Sequence, residues 1–154
     1  MDGQPALVQR VCDAVAEPGV DAVLTLGPAL DAGALRVADN IELLSFAGHD
    51  ELLPGCAAVV THGGLGTTLR ALAHGVPLLL LPLGRDQALN AERATRLGVG
   101  TQLSVDATAP EIRGALTSLL ADTGVATAAA NSSQRISSAA PDTAAGQAFE
   151  QVAR

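Results

Sequence analysis

The residues best suited to chemistry fall in two short runs. The first is Thr61-His62-Gly63-Gly64-Leu65-Gly66-Thr67-Thr68, and the second is Gly84-Arg85-Asp86-Gln87. A helix that starts just after Gly66 exposes backbone N–H groups that have no acceptor inside the helix, and its dipole favours an anion there by ~0.3–1 kcal/mol. Such a helix start is a seat for phosphate. Gly63, Gly64 and Gly66 let a bulky anion approach the main chain, the hydroxyls of Thr67 and Thr68 add donors, and the ring of His62 can donate to a phosphate oxygen. The competing reading is purely structural: the glycines make a tight turn and Thr67 is an ordinary N-cap.

Asp86 and Gln87 pose the same choice. A carboxylate that accepts and an amide that both donates and accepts suit the adjacent hydroxyls of a sugar, while Asp86 is also placed to cap a helix running through Arg96. Two familiar phosphate loops do not fit. A P-loop needs a lysine that the chain lacks, and the dinucleotide fingerprint needs a third glycine where Leu69 stands.

The elements that must position these residues follow from pattern. Residues 57–61 and 78–81 are apolar strands, each running into one of the polar loops, and helical segments follow at 69–74, closed by Gly75, and at 86–96. This alternation predicts a parallel α/β sheet whose ligands sit at the carboxyl ends of the strands. Upstream, residues 6–16 form a helix ended by Pro18-Gly19, residues 21–26 and 41–44 are strands, and residues 29–40 are mostly loop. Residues 45–49 form a further loop, and Asp50 caps a short helix through Leu53. Downstream, residues 99–103 read as a last strand and 106–121 as an amphipathic helix with Ile112, Leu116, Leu119 and Leu120 inward. A weakly amphipathic Ala- and Ser-rich helix covers 123–138, and a terminal helix at 143–152 would pack Phe149.

Length and composition set the limits. The 154 residues suit one domain, with residues 1–5 as a leader and 6–154 as the domain. Nine basic residues against sixteen acidic give a net charge of −7, and every basic residue is arginine, so no clustered basic face for nucleic acid is expected. Cys12 and Cys56 are too few and scattered for a metal site and read as buried thiols. The most apolar run, 76–83, is broken by prolines and falls short of the ~20 residues a membrane helix needs. The composition is that of a soluble, cytoplasmic protein.

Taken together, Thr61 to Thr68, Ala73-His74-Gly75-Val76-Pro77, Leu81-Pro82-Leu83-Gly84-Arg85-Asp86-Gln87, Asn90 and Leu97-Gly98-Val99-Gly100 resemble the donor-binding half of UDP-glycosyltransferase-like enzymes. The pattern is most similar to bacterial enzymes that glycosylate natural products, macrolides among them. The resemblance implies the GT-B fold, of which this chain matches the C-terminal, Rossmann-like domain. It gives the donor diphosphate to His62, Gly63, Gly64, Gly66, Thr67 and Thr68, and the donor sugar to Asp86 and Gln87. The nucleobase falls to Phe46, Ala47 and His49, with Gly48 standing where the family usually has proline. The donor is a UDP- or dTDP-sugar, and no metal or other cofactor is implied.

Two departures accompany the resemblance. The family's general base lies in an N-terminal, acceptor-binding domain, so no catalytic residue is assigned here, and the chain is expected to need that domain or a partner chain for hexosyl transfer to an acceptor hydroxyl with inversion. The family's domain also opens with a strand at the centre of its sheet, and residues 1–5 are too few and polar to supply it. A sheet lacking its first, central strand is therefore expected, as in a truncated gene product or a chain whose partner donates the strand. The alternative function is a non-catalytic partner subunit or degenerate nucleotide-binding module of the same fold. A sugar-nucleotide epimerase shares the fold but would want more carboxylates.

Overall fold

The computed structural model describes residues 3–17, 19–27, 30–84 and 86–138. Arg85, Phe149 and the expected terminal helix at 143–152 lie outside them. The described residues form two compact units, one from those among 3–48 and 106–114 and the other from those among 49–105 and 115–138.

In the first unit, α1 (Gly3–Val15) leads to β1 (Ala22–Thr25), a 3-10 turn (Ala32–Ala34) and β2 (Ile41–Leu44). β1 and β2 pair in parallel, Ala22 opposite Ile41 through Thr25 opposite Leu44. Leu7, Cys12, Ala14 and Val15 bury one face of α1. The last carbonyls of α1, which no helical N–H can reach, are met by side chains. Arg113 donates to the oxygens of Ala14 at 3.0 Å and Asp13 at 2.9 Å, and Asn40 donates to that of Val15 at 2.7 Å. Gln9 exchanges two bonds with the main chain of Arg36, pinning the loop before β2.

The second unit repeats strand, loop and helix. It contains α2 (His49–Leu52), β3 (Val59–Thr61), α3 (Leu65–Ala73), β4 (Leu78–Leu80), α4 (Gln87–Arg96), β5 (Gly100–Gln102) and α6 (Thr123–Ser138). The strands form a parallel sheet of order β3-β4-β5. β4 is the middle strand; Leu78, Leu79 and Leu80 are all fully buried, as a parallel strand covered on both faces requires. Around it pack Leu53, Ala71, Leu72, Val76, Ala91, Ala94 and Val99. Gly100 is the point of closest strand approach: a Cβ there would lie 2.5 Å from the carbonyl oxygen of Leu78. α3 stops where Gly75 takes a left-handed φ of 70°.

Helix α5 (Ala109–Ala121) is divided between the two units. Ile112, Leu116 and Leu119 are buried as expected, but Leu120 is exposed, one position off the buried stripe. Glu111 closes the start of α5 by accepting from the N–H and the hydroxyl of Thr108, a capping box.

The parallel α/β class is as expected from the sequence. Among the described residues the strands fall into two separately paired sheets, in which only β4 has a neighbour on each side. Three local expectations are corrected. α3 begins at Leu65, not after Gly66. Asp50 does not cap α2, which starts one residue earlier. Cys56 is exposed; only Cys12 is buried. Among the described residues no helix is long and apolar enough to cross a membrane.

Candidate functional site

β3 and β4 are parallel neighbours, so the loops at their carboxyl ends emerge side by side. Gly63, one residue past the loop's first, has a φ of 87°, open to glycine and strained for other residues. It leans on the first turn of α4: a Cβ at Gly63 would sit 3.2 Å from the carbonyl oxygen of Gln87 and 3.4 Å from Leu80. Asn90, buried on α4, donates its side-chain amide to the carbonyl oxygen of Gly63 at 2.9 Å. The two polar runs that sequence picked out are therefore one contiguous place.

Gly64 is the N-cap of α3 and contributes no side chain. The first helical bond runs from the N–H of Thr68 to the oxygen of Gly64 at 3.0 Å. The N–H groups of Leu65, Gly66 and Thr67 consequently have no acceptor among the described residues, and the positive end of the helix dipole lies with them. His62 is exposed, with its ring over Gly64; a Cβ at 64 would come within 2.8 Å of its Nε2. Thr67 is half-buried and is not the N-cap. Its hydroxyl lies 3.3 Å from Nε2 of His49. Thr68 is fully buried, and its hydroxyl has no partner.

On the second loop, Asp86 occupies the N-cap position of α4 but makes no capping bond with its side chain. Its exposed carboxylate has no partner among the described residues. The amide of Gln87 is partly committed: its oxygen accepts from the N–H of Leu83 at 2.8 Å, which folds the loop back and leaves the NH₂ group as a donor.

Phe46 and Ala47 follow β2 in the first unit, and the ring of Phe46 is 85% exposed. His49, sorted with them by sequence, opens α2 in the second unit and meets Thr67. The next residue, Asp50, joins α2 to α3 by accepting from Arg70 at 2.9 Å and pairing with His74 at 3.1 Å. His74, together with Arg70, holds the Asp50 carboxyl below its usual range. The structural role of Asn90 was not assigned from sequence; its signal was a polar residue on the helix face that otherwise carries Ala91 and Ala94.

A parallel α/β domain with a glycine-capped helix start clasped to an acid-amide loop is the C-terminal domain of a GT-B glycosyltransferase. The chain belongs to the erythromycin biosynthesis protein CIII-like C-terminal domain family, whose profile matches residues 9–150. It is 40% identical over 123 residues to aclacinomycin-T 2-deoxy-L-fucose transferase of Streptomyces galilaeus, covering 78% of this chain and 28% of that protein. It is 33% identical over 104 residues to 3-alpha-mycarosylerythronolide B desosaminyl transferase of Saccharopolyspora erythraea, covering 68% of this chain and 25% of that protein. Among solved structures, the calicheamicin glycosyltransferase CalG4 superposes with a TM-score of 0.83 at 30% identity, over 97% of this chain and 38% of that one. Glycosyltransferase VinC, solved in complex with dTDP, gives 0.78 at 30% identity, over 95% and 37%. The chain thus spans between 25% and 38% of the length of these proteins.

Proposed function

We propose that this chain holds the diphosphate of a UDP- or dTDP-sugar at the first turn of α3, as the donor-binding part of an inverting glycosyltransferase that transfers a hexose to an acceptor hydroxyl. The observation that carries the reading is the clasp of Gly63 to α4 through Asn90 and Gln87, which brings the loop before α3 against the turn that carries Asp86 and Gln87. The diphosphate oxygens accept from His62 and from the N–H groups of Leu65, Gly66 and Thr67. Asp86 accepts from sugar hydroxyls, and the NH₂ of Gln87 donates to them. These diphosphate and sugar contacts all lie in the second unit. Phe46 and Ala47 keep the nucleobase role that the resemblance gives them.

A general base supplied by an acceptor-binding domain or partner chain takes the proton of the acceptor hydroxyl as its oxygen attacks the anomeric carbon. The bond from that carbon to the diphosphate breaks, and negative charge grows on the departing oxygen. His62 and the α3 dipole stabilise that charge where it develops. Alone, the chain binds donor or nucleoside diphosphate and transfers nothing.

NMR titration with dTDP and UDP tests this. Shift changes at residues 62–68 and at Asp86 and Gln87 support the reading. A calorimetric blank at millimolar nucleotide would overturn it and favour a degenerate module.

A further inference from the structure

We propose that His49 is a positioning residue for the donor diphosphate, acting through Thr67, and that protonation of its ring strengthens binding of that anion. This deepens the reading above and rests on it. A diphosphate brings several negative charges to a helix start whose dipole offers only about half an elementary charge. A cationic side chain supplies a full charge, and the sequence has no lysine. Arg70, on α3, is already paired with Asp50 at 2.9 Å. The groups that the described residues bring to this turn and that can still take a charge are two imidazoles. One is His62 over Gly64, and the other is His49 beside Thr67.

The contact between His49 and Thr67 has two polarities. With the neutral ring protonated on Nδ1, Nε2 accepts from the Thr67 hydroxyl and turns its proton away from an anion at the helix start. With the ring charged, Nε2–H donates to the hydroxyl oxygen, and the hydroxyl proton is released to a phosphate oxygen. The neutral ring with its proton on Nε2 has the same polarity, so protonation of His49 leaves Thr67 only the arrangement in which it donates to phosphate. The same turn also carries the Thr68 hydroxyl, which is fully buried and has no partner among the described residues.

The charged and titratable groups on the elements that carry His49 and Thr67 are Asp50 and Glu51 on α2, Arg70 on α3, His74 at the C-cap of α3, and His62 in the loop before α3. Both carboxylate oxygens of Asp50 are engaged, one by Arg70 and one by His74, so Asp50 is not the partner of His49.

The test is calorimetry of the 154-residue chain with pyrophosphate, thymidine and dTDP from about pH 5.5 to 8. Wild type, His49→Gln, Thr67→Val and the double variant are compared. Wild type should bind pyrophosphate about tenfold more tightly at the acid end, the scale of a charge-assisted hydrogen bond. His49→Gln should remove part of that slope, the remainder belonging to His62, and leave thymidine affinity unchanged, and Thr67→Val should add no further loss in the double variant. The His49 ring resonances should move when pyrophosphate is added. An unaltered pyrophosphate profile in His49→Gln, or loss of thymidine binding alone, overturns the inference while nucleotide binding by the wild type upholds the proposed function. Absence of wild-type binding to both pyrophosphate and dTDP overturns the two together. His49 is exposed, and an unchanged NMR spectrum beyond α2 and α3 establishes that the variant is folded.

Discussion

Asn90 donates to the carbonyl oxygen of Gly63 at 2.9 Å, and both residues are buried. This bond ties the loop that ends β3 to the first turns of α4, so neither polar run can move without the other. Asn90→Ala should lower stability by about 1–3 kcal/mol, since it leaves a buried carbonyl unmet. It should also weaken dTDP binding. Urea unfolding and calorimetry on the same variant check both effects.

Gly63 and Gly66 should respond oppositely to alanine. At Gly63 the φ of 87° and the nearby Gln87 oxygen both oppose a Cβ, so Gly63→Ala should destabilise by about 1–2 kcal/mol. At Gly66 nothing lies within 4 Å of an added Cβ, and the residue sits inside α3. Gly66→Ala should add up to about 1 kcal/mol of stability. If its N–H group faces a diphosphate, the same variant should bind dTDP more weakly, and melting curves with and without nucleotide separate the two effects.

Thr68→Val removes a buried hydroxyl that has no partner. Stability should rise by about 1 kcal/mol. The gain should shrink under saturating dTDP if the nucleotide completes the polar turn, which paired thermal melts would reveal.

Asp50 and Glu111 are both held below the usual carboxylate range, Asp50 chiefly by its bond to His74 and Glu111 chiefly by the N–H of Thr108. A lowered folded value means that stabilisation is complete above the unfolded carboxylate range and is lost as pH falls through the folded value. The loss is therefore expected below about pH 4, not near neutrality. Amide exchange in α2 and at the start of α5, followed down the pH scale, should accelerate in that window. Asp50→Asn should abolish the α2 response and spare that of α5.

The two thiols should separate cleanly. Burial, aided by Asp13, pushes the Cys12 thiol up, whereas Cys56 is exposed and donates to the oxygen of Leu52 at 3.0 Å. Iodoacetamide should label Cys56 in the native protein and reach Cys12 only on unfolding. Mass spectrometry of a digest reads the order.

Much of this protein was legible without coordinates. Apolar runs of four to six residues gave the strands, Gly75 marked a helix end, and the order of motifs carried the family. These are local signals: φ freedom, periodicity and the spacing of small residues. The start of α3 was misplaced because its cap is Gly64, whose contribution is a backbone angle and not a side chain that pattern could reveal. The exposure of Cys56 and Leu120 was also hidden, since which edge of a short element faces solvent depends on its neighbours.

Only the tertiary structure decided how the site is shared out. His49 meets Thr67 across 18 residues of chain, and Asn90 meets Gly63 across 27. Gln87 commits its oxygen to Leu83, which removes one of the functions its side chain offered. Pairings between β3, α3 and α4 arise from strand register and from helices settling on the buried leucines of β4. The sequence by itself determined which residues carry the polar groups of the two loops; packing about β4 determined which of their hydrogen-bonding groups remain free.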